Sequence, residues 1–494
     1  MRSNLRKQIP AAAAIVVLFL SGCTVGPNYH RPDAPTATAW KAEDPWRPGE
    51  PRDQLPKGEW WKVFGDADLD ALEAKAMGAN PTLQAGVARL EQARATARLT
   101  VAGLYPQAGV GASPSRARES GNRPFMSESG VGSAPITQST YQLSFNVAYE
   151  TDLFGRVRRN IEASNASLQA SAADLEGLRL LIASEIAADY YTVREIDAEI
   201  GVLDGTVEDL EKGLQLVEAR AHGGVASGLD VAQEKTLLDS TRTQAILLHQ
   251  QRTQFEDAIG ALTGQPASNF KLAEKPMPQN VPAIPIGLPS DLLERRPDVA
   301  EAERNMAGAN ALIGVAKSAY YPDLSLSGGS GLQSFSISTL ATLSSGYWAI
   351  GAAIAESVLT GGARKAQVQF AEAGYSGAVA NYRGAVLTAF QEVEDNLAGL
   401  GILDQAAKAQ GQAVNDARTA LNIATNRYVG GLVSYLDVVT AQQTLLSNEQ
   451  LAAEIEGQRL VTSVLLIKAL GGGWDAASIA AMRVKPSIKQ AIEP

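Results

Sequence analysis

The 494-residue chain has a single cysteine, Cys23, and only three histidines. One thiol cannot form an intrachain disulfide, so the fold is not a cross-linked scaffold. His30, His222 and His249 are far apart and lack the HxxxH or HExxH spacing that places two imidazoles on one metal. Gly471-Gly472-Gly473 lacks the Gly-Lys-Ser of a phosphate loop. No catalytic, metal or cofactor constellation emerges, and the expectation is a non-enzyme. Beyond the N-terminus no run of about 18 apolar residues occurs, so no downstream transmembrane helix is indicated. Aromatics are 6% and charged residues 19%, and the net charge of -10 argues against nucleic acid as a partner.

What is present is organised around residues 141–224. Tyr141, Leu143, Phe145, Val147 and Tyr149 alternate with Gln142, Ser144, Asn146, Ala148 and Glu150. Period two predicts a strand with one apolar and one polar face. At Asp152-Leu153-Phe154-Gly155-Arg156 the period changes. Val193, Ile196, Ile200, Leu203, Val207, Leu210, Leu214 and Val217 then recur at spacings of three and four, the seam of a left-handed coiled coil. A helix over 156–221 would be about 100 Å long.

The chain repeats this pattern. Residues 347–358 read as a second such strand and Thr360-Gly361-Gly362 as the break. A helical pattern follows through Val379, Tyr382, Val386, Val393, Leu397, Leu400, Val414, Ala417 and Leu421. Asn80-Pro81 answers to Arg296-Pro297, and the run from Arg220 to Val231 answers to the run from Arg427 to Val438. An internal duplication of roughly 200 residues is expected.

Each half offers one strand pair, 107–115 with 140–150 and 323–329 with 346–358. The connecting loops are small and polar, and Trp348, Ile350, Ala352 and Ile354 share one face. Outer-membrane strands need about 9–11 alternating residues. Four strands cannot close a barrel, and an open edge in lipid is forbidden. If the strands lie in a membrane the chain oligomerises. Two copies would give eight strands and three would give twelve; the residues alone do not choose. A soluble sandwich edge is the rival, disfavoured by so few strands fused to such long helices.

At the start, Arg2, Arg6 and Lys7 precede an apolar run ending Leu20-Ser21-Gly22-Cys23. The run reads as a secretory signal, and its end resembles a bacterial lipobox, which implies that Cys23 is lipidated and becomes the mature N-terminus. Among such lipoproteins an Asp after the cysteine tends to mark inner-membrane retention. Thr24 stands there, which implies the outer membrane and an anchor in its lipid. Prolines at 27, 32, 35, 45, 48, 51 and 56 then predict an extended arm.

Several segments together resemble the outer membrane efflux lipoproteins of the NodT type, relatives of TolC. They are residues 22–29, Trp60-Trp61 with Phe64, residues 149–156, and Leu288-Pro289-Ser290-Asp291-Leu292-Leu293-Glu294-Arg295-Arg296-Pro297-Asp298. The likeness covers roughly 23–474. It implies a mixed α and β membrane protein, a homotrimer whose twelve-stranded antiparallel transmembrane β-barrel continues into a long α-helical coiled-coil barrel across the periplasm.

Two glycine turns lie far from the strands, at Gly223-Gly224-Val225 and Gly430-Gly431-Leu432. Glycine ends helices by accepting the left-handed conformation, and Ser227 and Ser434 can cap the returning helices. The resemblance implies that these six residues form the rim that meets a periplasmic adaptor protein. It also implies that Asp230, Asp437 and Tyr428 belong to the tunnel closure. An Asp one turn into a helix is equally served by the helix dipole. The sequence departs from the TolC pattern at Val433, where a tethering arginine is expected, and at Thr440, where a second ring aspartate is expected. Arg220 and Arg427 are alternative cations, though either could serve only local carbonyls.

The expected organisation is a signal peptide (1–22), a lipidated arm (23–59), two efflux-protein repeats (60–275 and 283–474) and a C-terminal tail (475–494). The expected function is a passive exit duct for drugs or other small molecules. It would serve an adaptor and a resistance-nodulation-division pump of the inner membrane. The rivals are a type I secretion duct for polypeptides and a non-conducting structural envelope lipoprotein.

Overall fold

The computed structural model describes residues 24–33, 58–121, 135–278, 282, 284, 296–472, 479 and 481–486. Cys23, the signal segment, the 127–133 loop, residues 288–295 and Trp474 lie outside the described residues, as does most of the tail.

After a 3₁₀ turn at Trp60–Phe64 come α1 (Ala67–Ala79) and α2 (Pro81–Ala102). The hairpin β1 (Gln107–Glu119) and β2 (Ile136–Thr151) leads into α3 (Arg156–His222), which returns as α4 (Gly228–Leu262). The second half runs α5 (Pro297–Ser318), β3 (Asp323–Ser334), β4 (Gly346–Ala355), α6 (Ala363–Val429) and α7 (Tyr435–Ala469). Corresponding helices have equal lengths: 22 residues in α2 and α5, 67 in α3 and α6, 35 in α4 and α7. At 1.5 Å per residue the 67-residue helices are about 100 Å long.

Three of the strands run further than the alternation suggested, and the fourth ends sooner. β1 reaches Glu119, β2 begins at Ile136, and β3 continues through Ser334 into what read as loop. β4 stops at Ala355, short of Val358. Small residues at 327–331 carry little side-chain signal, so ladder bonds to β2 rather than propensity extend β3.

The strand-to-helix breaks have a local cause. Gly155 (φ 85) and Gly362 (φ 90) adopt the left-handed conformation at the N-caps of α3 and α6. The Asp152 carboxylate accepts from Val157 N at 3.0 Å and Arg158 N at 2.9 Å, satisfying first-turn donors of α3.

The seams read from sequence are the buried faces. Val193, Ile196, Ile200, Leu203, Leu210 and Val217 are buried on α3, as are Tyr382, Val386, Val393, Leu397 and Leu400 on α6. Near the sheet, neighbouring helices run α2, α3, α5, α6; farther away they run α4, α3, α7, α6. Between the two zones a belt packs Trp60, Trp61, Tyr190, Tyr191, Leu397 and Leu466. There Arg252 joins Asp197 (2.6 Å) and Glu256 (3.0 Å), while Arg194 reaches Asp197 and the Ala273 carbonyl. These buried charges are paired, as burial requires.

The arm's first residues are docked as an extended strap. Val25 N donates to Phe154 O, and Arg159 donates to the carbonyls of Val25 and Gly26 and to Asn28 Oδ1. A Cβ on Gly26 would lie 2.4 Å from Gly314 Cα, so glycine is needed there. Arg31 closes the strap onto the Tyr382 hydroxyl at 3.0 Å.

Candidate functional site

The end remote from the sheet is built by two helical hairpin turns. α3 closes at Gly223 and Gly224, and Val225 N donates back to Arg220 O at 2.9 Å. α6 closes at Gly430 and Gly431, and Leu432 N donates to Arg427 O at 2.9 Å. Only the second glycine of each pair, Gly224 (φ 77) and Gly431 (φ 71), needs the left-handed region. A Cβ at either would meet nothing within 4 Å. Val225 is 69% and Leu432 72% exposed, so both turns present apolar tips and bare backbone to the outside.

Asp230 and Asp437 hold the same local position, three residues past Ser227 and Ser434. Asp230 completes a capping box: its carboxylate accepts from Ser227 N at 3.0 Å, and its own N donates to Ser227 Oγ at 3.2 Å. Asp437 accepts from the Ser434 hydroxyl at 2.7 Å. Their surroundings differ. Burial raises the pKa of the Tyr428 and Tyr435 hydroxyls; Asp230 adds to it at Tyr428, whereas at Tyr435 Glu234 adds more than Asp230 does. Asp437 lines a groove between α6 and α7 with Arg427, Val433 and Thr440. Arg427 and Asp437 form no ion pair with each other among the described residues.

Arg220 instead crosses between the hairpins. Its guanidinium stands 4.9 Å over the Tyr428 ring and donates to the Val429 carbonyl at 3.4 Å. Tyr428 packs on Tyr435 with ring centroids 4.8 Å apart. Sequence reasoning missed the group below them, Glu234, which is fully buried on α4. It faces the Tyr435 hydroxyl and the Gln442 amide, and burial holds its carboxyl above the ordinary range. A Cβ on Gly213 of α3 would lie 2.4 Å from its Oε1. That mid-helix glycine was the one signal in the sequence that something approaches closely.

The opposite end is the antiparallel sheet β1-β2-β3-β4. The register gathers Val110, Phe145, Ser330 and Trp348 across one face, and Tyr149, Leu326 and Ala352 nearer the helices. Trp348 is 76% and Ile350 83% exposed. The other face carries Gly111, Ser113, Gln142, Ser144, Asn146, Ser325 and Ser327. β1 and β4 each keep one unpaired edge in the single chain.

A family model, outer membrane efflux protein, matches residues 73–265 and again 288–472. The chain belongs to the outer membrane efflux protein family. Among curated relatives of the family, the toluene efflux pump outer membrane protein TtgF of Pseudomonas putida is 30% identical over 467 residues, 93% of this chain and 96% of that protein. Outer membrane protein OprJ of Pseudomonas aeruginosa is 30% identical over 467 residues, 94% of this chain and 96% of that one. Among solved structures, the outer-membrane channel OprN superposes with a TM-score of 0.84 at 29% identity, covering 92% of this chain and all of that one. The two matched stretches contain all four strands and both remote turns, and the helical body with its β domain is the architecture of these family channels.

Proposed function

We propose that this efflux protein is the outer-membrane channel component of a tripartite efflux system, a passive exit duct for drugs or other small molecules. The observation that carries the reading is the sheet. Its apolar outer face, its polar inner face and its two open edges fit one third of a closed barrel and nothing that could stand alone in lipid. Three copies give twelve strands, and the second half's equal helix lengths fit a duplicated chain that supplies two similar hairpins to a helical tunnel.

In this reading Cys23 carries the acyl anchor, and the strap at Val25, Gly26 and Asn28 holds the anchor point beside the sheet–helix junction. Gly223, Gly224, Val225, Gly430, Gly431 and Leu432 form the rim for an adaptor protein. Asp230, Tyr428 and Asp437 belong to the closure of the tunnel. A resistance-nodulation-division pump of the inner membrane supplies the energy. The name of TtgF, a toluene efflux pump component, favours small molecules over polypeptides.

The test is conductance of the purified, detergent-folded protein in a planar bilayer. Discrete channel openings are expected. A correctly folded oligomer that never conducts would leave the structural-lipoprotein reading standing instead.

A further inference from the structure

The outward sheet face has one further feature, at the end away from the helices. From Thr151 back to Tyr141, side chains on this face alternate at every second residue of β2. That length is about 34 Å along the strand, or about 26 Å along the membrane normal at a tilt of about 40°. It matches the apolar band of about 25 Å that outer-membrane barrels present. Tyr141 pairs with Pro114 at its far edge.

β1 continues past that edge. Arg116 pairs with Ser139 and Arg118 with Thr137, on the same face as Pro114 and Val110. They stand about 5 and 10 Å beyond the band along the normal. Across the outward positions of all four strands they are the sole charged residues; no carboxylate accompanies them. Both are exposed, and neither forms an ion pair with a described residue. Glu119 falls on the opposite face by the alternation of the strand.

An arginine in the band itself would cost about 2–4 kcal/mol, a cost that falls to about 0–1 near the interface. At this height the guanidinium groups meet headgroups rather than acyl chains. A planar fork matches phosphate oxygens two at a time, and the Ser139 and Thr137 hydroxyls alongside can add hydrogen bonds. The helices leave the sheet from its other end, so this end faces the outer leaflet.

We propose that Arg116 and Arg118 form a binding site for the phosphate groups of the outer leaflet's glycolipid. The inference rests on the sheet being a barrel wall in the outer membrane.

The full-length protein in detergent is titrated with bisphosphorylated lipid A, its dephosphorylated form, or phosphatidylglycerol, and bound lipid is counted by native mass spectrometry. Wild type should retain lipid A at least tenfold more tightly than the other two. Arg116→Gln with Arg118→Gln should remove that preference, either single substitution should weaken it, and the double lysine variant should keep most of it. Unchanged lipid A retention in the glutamine variants, or equal retention of dephosphorylated lipid or phosphatidylglycerol by wild type, overturns the site. Bilayer conductance of the same preparations separates the two readings. A conducting wild type without the preference loses this site alone, whereas a wild type that neither conducts nor retains lipid loses the barrel wall too.

Discussion

At the scale of single residues, buried acids set the pH response. Glu73 on α1 is fully buried and its carboxyl oxygens have no hydrogen-bond partner among the described residues. Burial, with Asp70 adding, pushes its pKa from 4.5 up to about 9. A folded value above the unfolded one means that stability is fully present below about pH 4.5 and falls as pH rises toward 9. Glu73→Gln should flatten the decline of the thermal midpoint between pH 5 and 9, measured by circular dichroism relative to wild type. A parallel decline in both proteins would contradict the assignment. On the proposed duct reading, Asp230 and Asp437 bear on conduction. Three copies would collect six carboxylates near one axis, and like charges in a constriction favour cations. Asp230→Asn with Asp437→Asn should shift the reversal potential in a salt gradient toward zero. If both residues serve only their caps, the substitution costs roughly 1 kcal/mol of tip stability and leaves selectivity unchanged.

At the scale of elements, the two glycine turns are the informative pieces. Each ends a 67-residue helix and starts a 35-residue one, with open space where a side chain would go. Gly224→Asp together with Gly431→Asp places a charged Cβ-bearing residue at positive φ on both tips. Local strain of about 1 kcal/mol or more per site is tolerable in so large a fold. Assembly should therefore survive while drug export in cells is lost. Normal export with both substitutions would reduce the turns to helix terminators. The tie between the hairpins is a second element-scale feature. Arg220, Tyr428, Tyr435 and buried Glu234 join α3 and α4 to α6 and α7 by cross-hairpin contacts. Tyr428 was singled out in the sequence only by its resemblance to the TolC pattern, as a closure residue and not as part of this tie. Glu234 was not, because its burial depends on Gly213 and Tyr435, neither of which adjoins it in the chain.

At the scale of the whole molecule, the open edges of β1 and β4 have no strand partner, and the outer flanks of α2, α4 and α6 have no further helix packed on them, among the described residues of one chain. Light scattering of the detergent-solubilised protein, corrected for bound detergent, should give about three chain masses, as twelve strands require. A well-folded monomer would remove the barrel argument, since a four-stranded sheet with two free edges cannot reside in lipid.

The sequence by itself determined the element types, because strand and coiled-coil periods are local and are written in side-chain polarity every two or 3.5 residues. It also determined which faces are apolar and where the helices break, since Gly155, Gly362, Gly224 and Gly431 stand where only glycine is at ease. Strand ends, the strap's seat on Arg159 and Gly314, and the crossing of Arg220 onto Tyr428 were decided by the tertiary structure. Each depends on a partner from a distant part of the chain, and no local pattern records which partner arrives. Glu234 shows the difference most plainly: an acid four residues past Asp230 on an exposed-looking helix is buried because a glycine on the neighbouring helix leaves room for it.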